Sequence, residues 1–249
     1  MVTFETMNEL CLRITNSGSG DYVFTKAGAF IGGECYGGKN YTFTKVMLGP
    51  QENQSIGQAL LGQITRRLTG ENLPLMKVEF NGDSVTYYAN DQQHVVVYHL
   101  ANNETISVES ENILAFTRDC KYGVRFLGQG VISQKGLATS TLTGMGPEAY
   151  VAVLVDGNPL VMSNIQTGYT IEADPDATVC WIGADPTLRT DINWRNFIGQ
   201  SSGESYMFEW SGSTPATVII QPMERASGVD VSMDGRRSGS RPSSQRRIY

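Results

Sequence analysis

Tyr150-Val151-Ala152-Val153-Leu154-Val155, closed by Asp156-Gly157-Asn158, is the stretch that decides the class of fold. It is a β-branched run ending on a turn signal, and that combination reads as a strand. Working outward, the same grammar recurs. Val95-Val96-Val97-Tyr98 and Thr105-Ile106-Ser107-Val108 flank the turn Asn102-Asn103, and Thr217-Val218-Ile219-Ile220 follows Ser211-Gly212-Ser213. Short strands spaced near ten residues predict an all-β sandwich or barrel. Only Gln51 to Leu68 carries a helical pattern, with Ile56, Leu60, Ile64 and Leu68 at steps of four after Pro50. The expectation is an all-β protein with one short helix.

An internal repeat organises these strands. Leu60-Leu61-Gly62-Gln63 recurs as Phe126-Leu127-Gly128-Gln129 and as Phe197-Ile198-Gly199-Gln200. From the composition of this chain, with position-independent frequencies, the pattern should occur about 0.02 times by chance. Each copy is followed by an apolar strand, a glycine turn and a β-branched strand. Examples are Val78 to Gly82 with Val85 to Tyr88, and Phe208 to Gly212 with Thr217 to Ile220. Thr105-Ile106 also precedes Phe116 by the interval at which Thr170-Ile171 precedes Trp181. The repeats fall near 22–92, 93–158 and 159–223, the first and third carrying insertions. Units this small cannot close their own apolar faces, so three of them are expected to pack around a pseudo-threefold axis. Residues 1–223 then form one all-β domain, and 224–249 a separate Arg/Ser-rich tail.

Charge follows the same division. The chain carries a formal -6. The tail holds six arginines against Glu224, Asp230 and Asp234, a net +3, which leaves the body at -6 - 3 = -9. An acidic body repels nucleic acid over most of its surface. The longest apolar runs are near five residues, so no membrane-spanning helix is expected. Met1 to Ile14 lacks the basic head and apolar stretch of a secretory signal. Cys11, Cys35, Cys120 and Cys180 form no CxxC pair, and Cys120 and Cys180 read as buried reduced thiols. The cytoplasm is the default location.

Several segments together resemble one family. These are Lys26-Ala27-Gly28-Ala29-Phe30, RRLTGENLPL (66–75), ENILAFTRDCKYGVRF (111–126) and GLATSTLTGMG (136–146). Their order is similar to that in the altered-inheritance-of-mitochondria family and its bacterial relatives, over roughly 22–223. The resemblance implies an all-β fold like that of the tryptophan RNA-binding attenuation protein, often assembled into ring-like oligomers. Mitochondrial members support inner-membrane organisation. The resemblance brings no catalytic residues with it, and the insertion at 37–60 and the Arg/Ser tail depart from the family pattern.

Each catalytic or ligand motif fails in its context. Gly33 to Asn40 nearly matches a phosphate loop, but Asn40 replaces the Ser/Thr and Tyr41-Thr42-Phe43-Thr44 alternates like a strand where a helix is required. Gly199-Gln200-Ser201-Ser202-Gly203 fits a nucleophile elbow only literally, because both histidines lie upstream. His94 and His99 are five apart on one strand and point to opposite faces. Gly144 to Ala149 imitates a dinucleotide fingerprint but leads into a strand. Glu109 and Glu111 read as two acids on one strand face. No enzyme, cofactor or metal is expected.

Partner binding is the remaining class. Arg66-Arg67, with Lys39 and Lys45 in the same repeat, is the basic cluster of the body, and helix capping competes with docking there. In the tail, the pairs Arg236-Arg237 and Arg246-Arg247 with the terminal Tyr249 suit a basic arm gripping an acidic surface. The expectation is a non-enzymatic scaffold or assembly protein, a homo-oligomer that also takes protein partners through the tail. The alternatives are a virion or injection-particle component and an RNA-binding regulator. Nucleic acid ranks behind protein because lysines do not interleave with Tyr87-Tyr88 and Tyr98.

Overall fold

A computed structural model describes residues 1–47, 74–127, 138–189 and 207–223. The first seven strands are β1 (Val2–Met7), β2 (Cys11–Asn16), β3 (Ser19–Lys26), β4 (Phe30–Cys35), β5 (Tyr41–Met47), β6 (Pro74–Asn81) and β7 (Ser84–Tyr88). The next six are β8 (His94–His99), β9 (Thr105–Val108), β10 (Ile113–Thr117), β11 (Cys120–Phe126), β12 (Ala138–Gly144) and β13 (Tyr150–Val155). The last six are β14 (Leu160–Ser163), β15 (Ile171–Ala173), β16 (Thr178–Gly183), β17 (Thr187–Arg189), β18 (Met207–Trp210) and β19 (Ala216–Ile220). The all-β expectation holds. The helix expected over 51–68 and the tail 224–249 lie outside the described residues.

One sequence reading needs correction. Glu109 and Glu111 do not share a strand face: Ser110–Asn112 is a 3-10 turn with Glu109 at its N-cap, so the chain winds where a strand was expected. The buried Asn112 amide donates to Leu154 O at 2.7 Å and fastens that turn to β13. Val2/Phe4 in β1 and Leu12/Ile14 in β2 are buried at alternate positions, so two strands precede residue 22.

The strands form four antiparallel sheets. Their orders are β1-β2-β7-β4, β5-β6-β3-β10-β13-β8, β11-β12-β9-β16-β19-β14 and β15-β18-β17. A pattern of connectivity runs through them. The trios β8-β13-β10 and β9-β12-β11 have the same internal order as β14-β19-β16 and β15-β18-β17, and as β2-β7-β4 and β3-β6-β5. Consecutive groups are joined by one antiparallel seam each, β3 to β10 and β9 to β16.

The same bulge marks the corresponding strand of each group. Register shifts between Ile113 and Ala115 in β10, between Thr178 and Cys180 in β16, and between Phe30 and Gly32 in β4. The extra residues are therefore Leu114, Val179 and Ile31. A bulge sharpens local twist and re-aims one side chain.

Three apolar cores lie between successive sheets. Phe4, Leu12, Ile14 and Tyr88 of the first sheet pack on Val78, Phe80 and Leu154 of the second. Phe116, Val151 and Val153 of the second meet Ile106, Leu142 and Cys180 of the third. Trp181 and Val218 of the third meet Phe208 and Trp210 of the last. β10 and the run Val151 to Val155 are buried on both faces, because a sheet packs on each side. This is why their sequences are continuously apolar and do not alternate. Polar ties reinforce the seams: Arg118 Nη1 lies 2.8 Å from Asp21 Oδ1, and Arg125 Nη1 lies 2.7 Å from Asp185 Oδ2.

Candidate functional site

Two seams consume β3, β10, β9 and β16, and they leave one strand of each kind unmatched. β4, the counterpart of β10 and β16, pairs only with β7 among the described residues. β15, the counterpart of β3 and β9, pairs only with β18 among the described residues. Each therefore ends a sheet, and their outer backbone groups carry no hydrogen bond among the described residues. An open edge is a template for another strand. These two edges are the candidate interaction site.

The β4 edge is apolar and rigidly held. Phe30 packs on Tyr41, Phe43 and Tyr88 with ring centroids 5.8, 4.9 and 5.8 Å away. A Cβ on Gly33 would overlap the Tyr41 hydroxyl and ring edge, so that ring would have to shift to admit a side chain. Beyond the strand, Gly37 and Gly38 take positive φ, which glycine alone adopts readily. Asn40 pins this turn: its backbone N–H donates to Cys35 Sγ at 3.3 Å and its side-chain amide to Tyr36 O at 2.9 Å. Tyr87 donates to Glu34 Oε1 at 2.8 Å, and that bond to a carboxylate raises the phenol pKa above its ordinary range. Ile31 is 60% exposed and Tyr36 91% exposed.

The β15 edge is short and anchored from behind. Ile171 and Ala173 point into the Trp181–Trp210 core, while Glu172 faces solvent. Arg189 Nη1 bridges Glu172 Oε1 at 2.5 Å and Glu209 Oε2 at 2.7 Å, tying β15, β17 and β18 together on that face. The Glu209 carboxylate, followed by its hydrogen bond and by Glu172, holds the Arg189 pKa above the usual range. Tyr169, two residues before the strand, is 75% exposed.

Arg66, Arg67, Arg236, Arg237, Arg246, Arg247 and Tyr249 all lie outside the described residues, as does Gly199 to Gly203. Lys39 is in the β4–β5 turn, 5.8 Å from the Tyr41 ring centroid, and Lys45 is in β5. Gly33 to Asn40 is the end of a strand and a turn into β5, so no helix presents amides to a phosphate there. His94 Nε2 lies 3.7 Å from Glu9 Oε2, and His99 Nε2 is 2.8 Å from Pro147 O; the two rings are not brought together. Gly144 to Ala149 leads into β13. The four cysteines are free thiols, and burial pushes Cys120 up to about 11 and Cys180 up to about 12. Among the described residues no helix is long and apolar enough to cross a membrane.

The open edges themselves were missed. Their signal was present in Phe30-Ile31-Gly32-Gly33, an apolar pair ahead of two glycines, but sequence cannot say which strand lacks a neighbour.

Comparison with known proteins supports the fold. The family described as mitochondrial biogenesis AIM24 matches residues 11–223. The crystal structure of a Streptococcus pyogenes protein is similar at TM-score 0.62 and 16% identity, covering 90% of this chain and 94% of that one. At that identity the likeness concerns the fold alone. No curated protein matches the chain. With the family pattern covering most of its length, the chain belongs to the mitochondrial biogenesis AIM24 family.

Proposed function

We propose, from family membership and the two open edges, that this chain is a non-enzymatic β-rich scaffold or assembly protein. It self-associates or binds protein partners. The observation that carries this reading is the exposure of apolar side chains beside unpaired backbone, Ile31 and Tyr36 at one end and Tyr169 at the other. Water must otherwise solvate both, and covering them with protein is favourable at roughly 25 cal/mol per Å² of apolar surface.

The basic tail belongs to the same proposal. Six arginines opposite an acidic body favour contact between molecules at low salt. Single exposed ion pairs are worth only ~0.2–1 kcal/mol, so Arg236, Arg237, Arg246 and Arg247 act as a group. Tyr249 supplies the apolar end of the arm, and Arg66-Arg67 is a second docking point. The free thiols suit a reducing compartment, and the reading places the protein in the cytoplasm. Neither the particle-component nor the RNA-binding alternative gains an observation of its own.

The test is the mass of the purified full chain across concentration and salt, with its absorbance ratio at 260 and 280 nm and affinity capture from a native extract. The expected result is a defined oligomer or a stoichiometric protein partner. Changing Arg236, Arg237, Arg246 and Arg247 to glutamine should weaken the low-salt interaction. A monomer at every concentration that captures no protein, or one that co-purifies with nucleic acid, overturns the reading.

A further inference from the structure

The two seams inside the chain specify a third between copies. In the first seam Ala115, Phe116 and Thr117 of β10 stand opposite Thr25, Phe24 and Val23 of β3. In the second, Cys180, Trp181 and Ile182 of β16 stand opposite Val108, Ser107 and Ile106 of β9. Both seams are three rungs long, antiparallel, and begin one residue after the bulge. β4 has that bulge at Ile31, so its matching residues are Gly32, Gly33 and Glu34. β15 consists of three residues, Ile171, Glu172 and Ala173. The interval that aligns Ile106 with Phe116 also aligns Ile171 with Trp181, which makes Ala173 the counterpart of Val108.

We infer that copies of this chain associate head to tail, β15 of one pairing antiparallel with β4 of the next. Gly32 stands opposite Ala173 of the neighbour, Gly33 opposite Glu172, and Glu34 opposite Ile171. This deepens the proposed self-association by naming its surface, and it rests on that reading.

Three observations support the occupant being a second copy. First, the bulge residues differ in burial: Leu114 and Val179, beside filled seams and inside the cores between sheets, are 0% exposed, while Ile31, beside the empty one, is 60% exposed. Burial of this position accompanies a formed seam in both internal cases. Second, two rungs past Glu34 and Ile171 the register sets Tyr36 opposite Tyr169, at 91% and 75% exposure. Aromatic rings meeting across strands stabilise such pairs. In the first seam the rung two past Thr117 and Val23 is Asp119 and Asp21, and Arg118 beside it reaches Asp21.

Third, charge selects the orientation. The described residues from 159 onward carry Glu172, Asp174, Asp176, Asp185 and Glu209 against Arg189, a net of 1 - 5 = -4. The β2 to β7 group, residues 11–47 and 74–90, carries Arg13, Lys26, Lys39, Lys45 and Lys77 against Asp21, Glu34, Glu79 and Asp83, a net of 5 - 4 = +1. Like ends of the acidic group repel, whereas unlike ends do not. The contact is heterologous, so it builds a ring if the rotation closes and a filament if it does not.

Hydrogen exchange on the unmodified full chain tests this directly. Raising protein concentration should slow amide exchange about tenfold or more at Gly32 to Glu34 and Ile171 to Ala173, and leave β13 unchanged. A mixing experiment tests the polarity. Ile31→Lys blocks the β4 end and Glu172→Pro blocks the β15 end, so each variant alone should be monomeric. A mixture should stop at a dimer, twice 27.2 kDa, because each partner contributes one intact end. Thermal melts of the two variants check their folding, and the exchange result stands without them.

Oligomers whose protection falls on other segments overturn the head-to-tail seam and leave the scaffold reading intact. A monomer that captures a different protein does the same. Self-association of Ile31→Lys at wild-type concentration also overturns the seam. A monomer with no partner sinks both.

Discussion

Ile31 and Leu114 occupy the same bulge in corresponding strands, yet Ile31 is largely exposed and Leu114 is wholly buried. Leu114 packs in the core between the first and second sheets, and β3 pairs with β10 beside it, whereas no described strand covers the edge of β4.

Truncation should separate the two positions. Leu114→Ala removes packed methyl groups from the core between the first and second sheets and should cost about 2–5 kcal/mol. Ile31→Ala in dilute protein should stay within about 0.5 kcal/mol of wild type. Urea denaturation of both variants at micromolar concentration measures this, and equal costs would contradict the burial difference.

Asn164 is the polar clasp of the last group. Its Nδ2 donates to Trp210 O at 3.2 Å and Ser211 O at 3.0 Å, and the Ala216 N–H donates to its Oδ1 at 2.8 Å. Asn164→Ala strands buried backbone groups, each worth about 1–3 kcal/mol when unsatisfied. The melting temperature should drop well below that of a surface control such as Gln166→Ala.

Thiol chemistry should divide the cysteines. Cys11 and Cys35 are partly exposed, whereas Cys120 and Cys180 are buried with raised pKa values caused first by burial. At pH 8 a thiol reagent should label two sites quickly and the other two only on unfolding. The folded Cys180 pKa, about 12, exceeds the unfolded value near 9, so above pH 9 the unfolded chain binds fewer protons. Stability from this group is full below pH 9 and declines as pH rises toward 12. Cys180→Val should flatten part of that decline in alkaline denaturation curves.

Two glycines give opposite expectations. A Cβ at Gly144 would overlap the carbonyl oxygen of Ala101, so Gly144→Ala should force the β12 end away from its neighbour and destabilise by about 1–3 kcal/mol. At Gly32 the nearest atom to a Cβ is Tyr87 Cδ2 at 4.0 Å, and Gly32→Ala should be tolerated. Circular dichroism melts of the pair decide it.

Much of the strand content was legible because it is local. The runs at 95–98, 105–108, 151–155 and 217–220 became β8, β9, β13 and β19. The turn at Ser110 was illegible because Glu109 and Glu111 lie two apart, as residues on one strand face do, and the turn is fastened by Asn112 reaching Leu154, which lies in another strand. β1 and β2 were overlooked although Val2/Phe4 and Leu12/Ile14 alternate plainly. The candidate site was read from charge, on arginines that lie outside the described residues, while the open edges carry little charge of their own.

By itself the sequence determined the class of the protein: period-two patterning, turn residues and β-branched runs commit each segment to a strand through φ/ψ and packing preferences that act over a few residues. Tertiary structure alone decided which strands became interior and which became edges. Phe30-Ile31-Gly32-Gly33 and Ile113-Leu114-Ala115-Phe116 follow one local plan, and neither announces its neighbours. Ala115 is buried between β3 and β13 through pairing with Thr25, ninety residues away, and Gly32 has Tyr87 on one side only. Backbone hydrogen bonds across a sheet are made by residues distant in the chain, so their presence or absence is a property of the assembled layers.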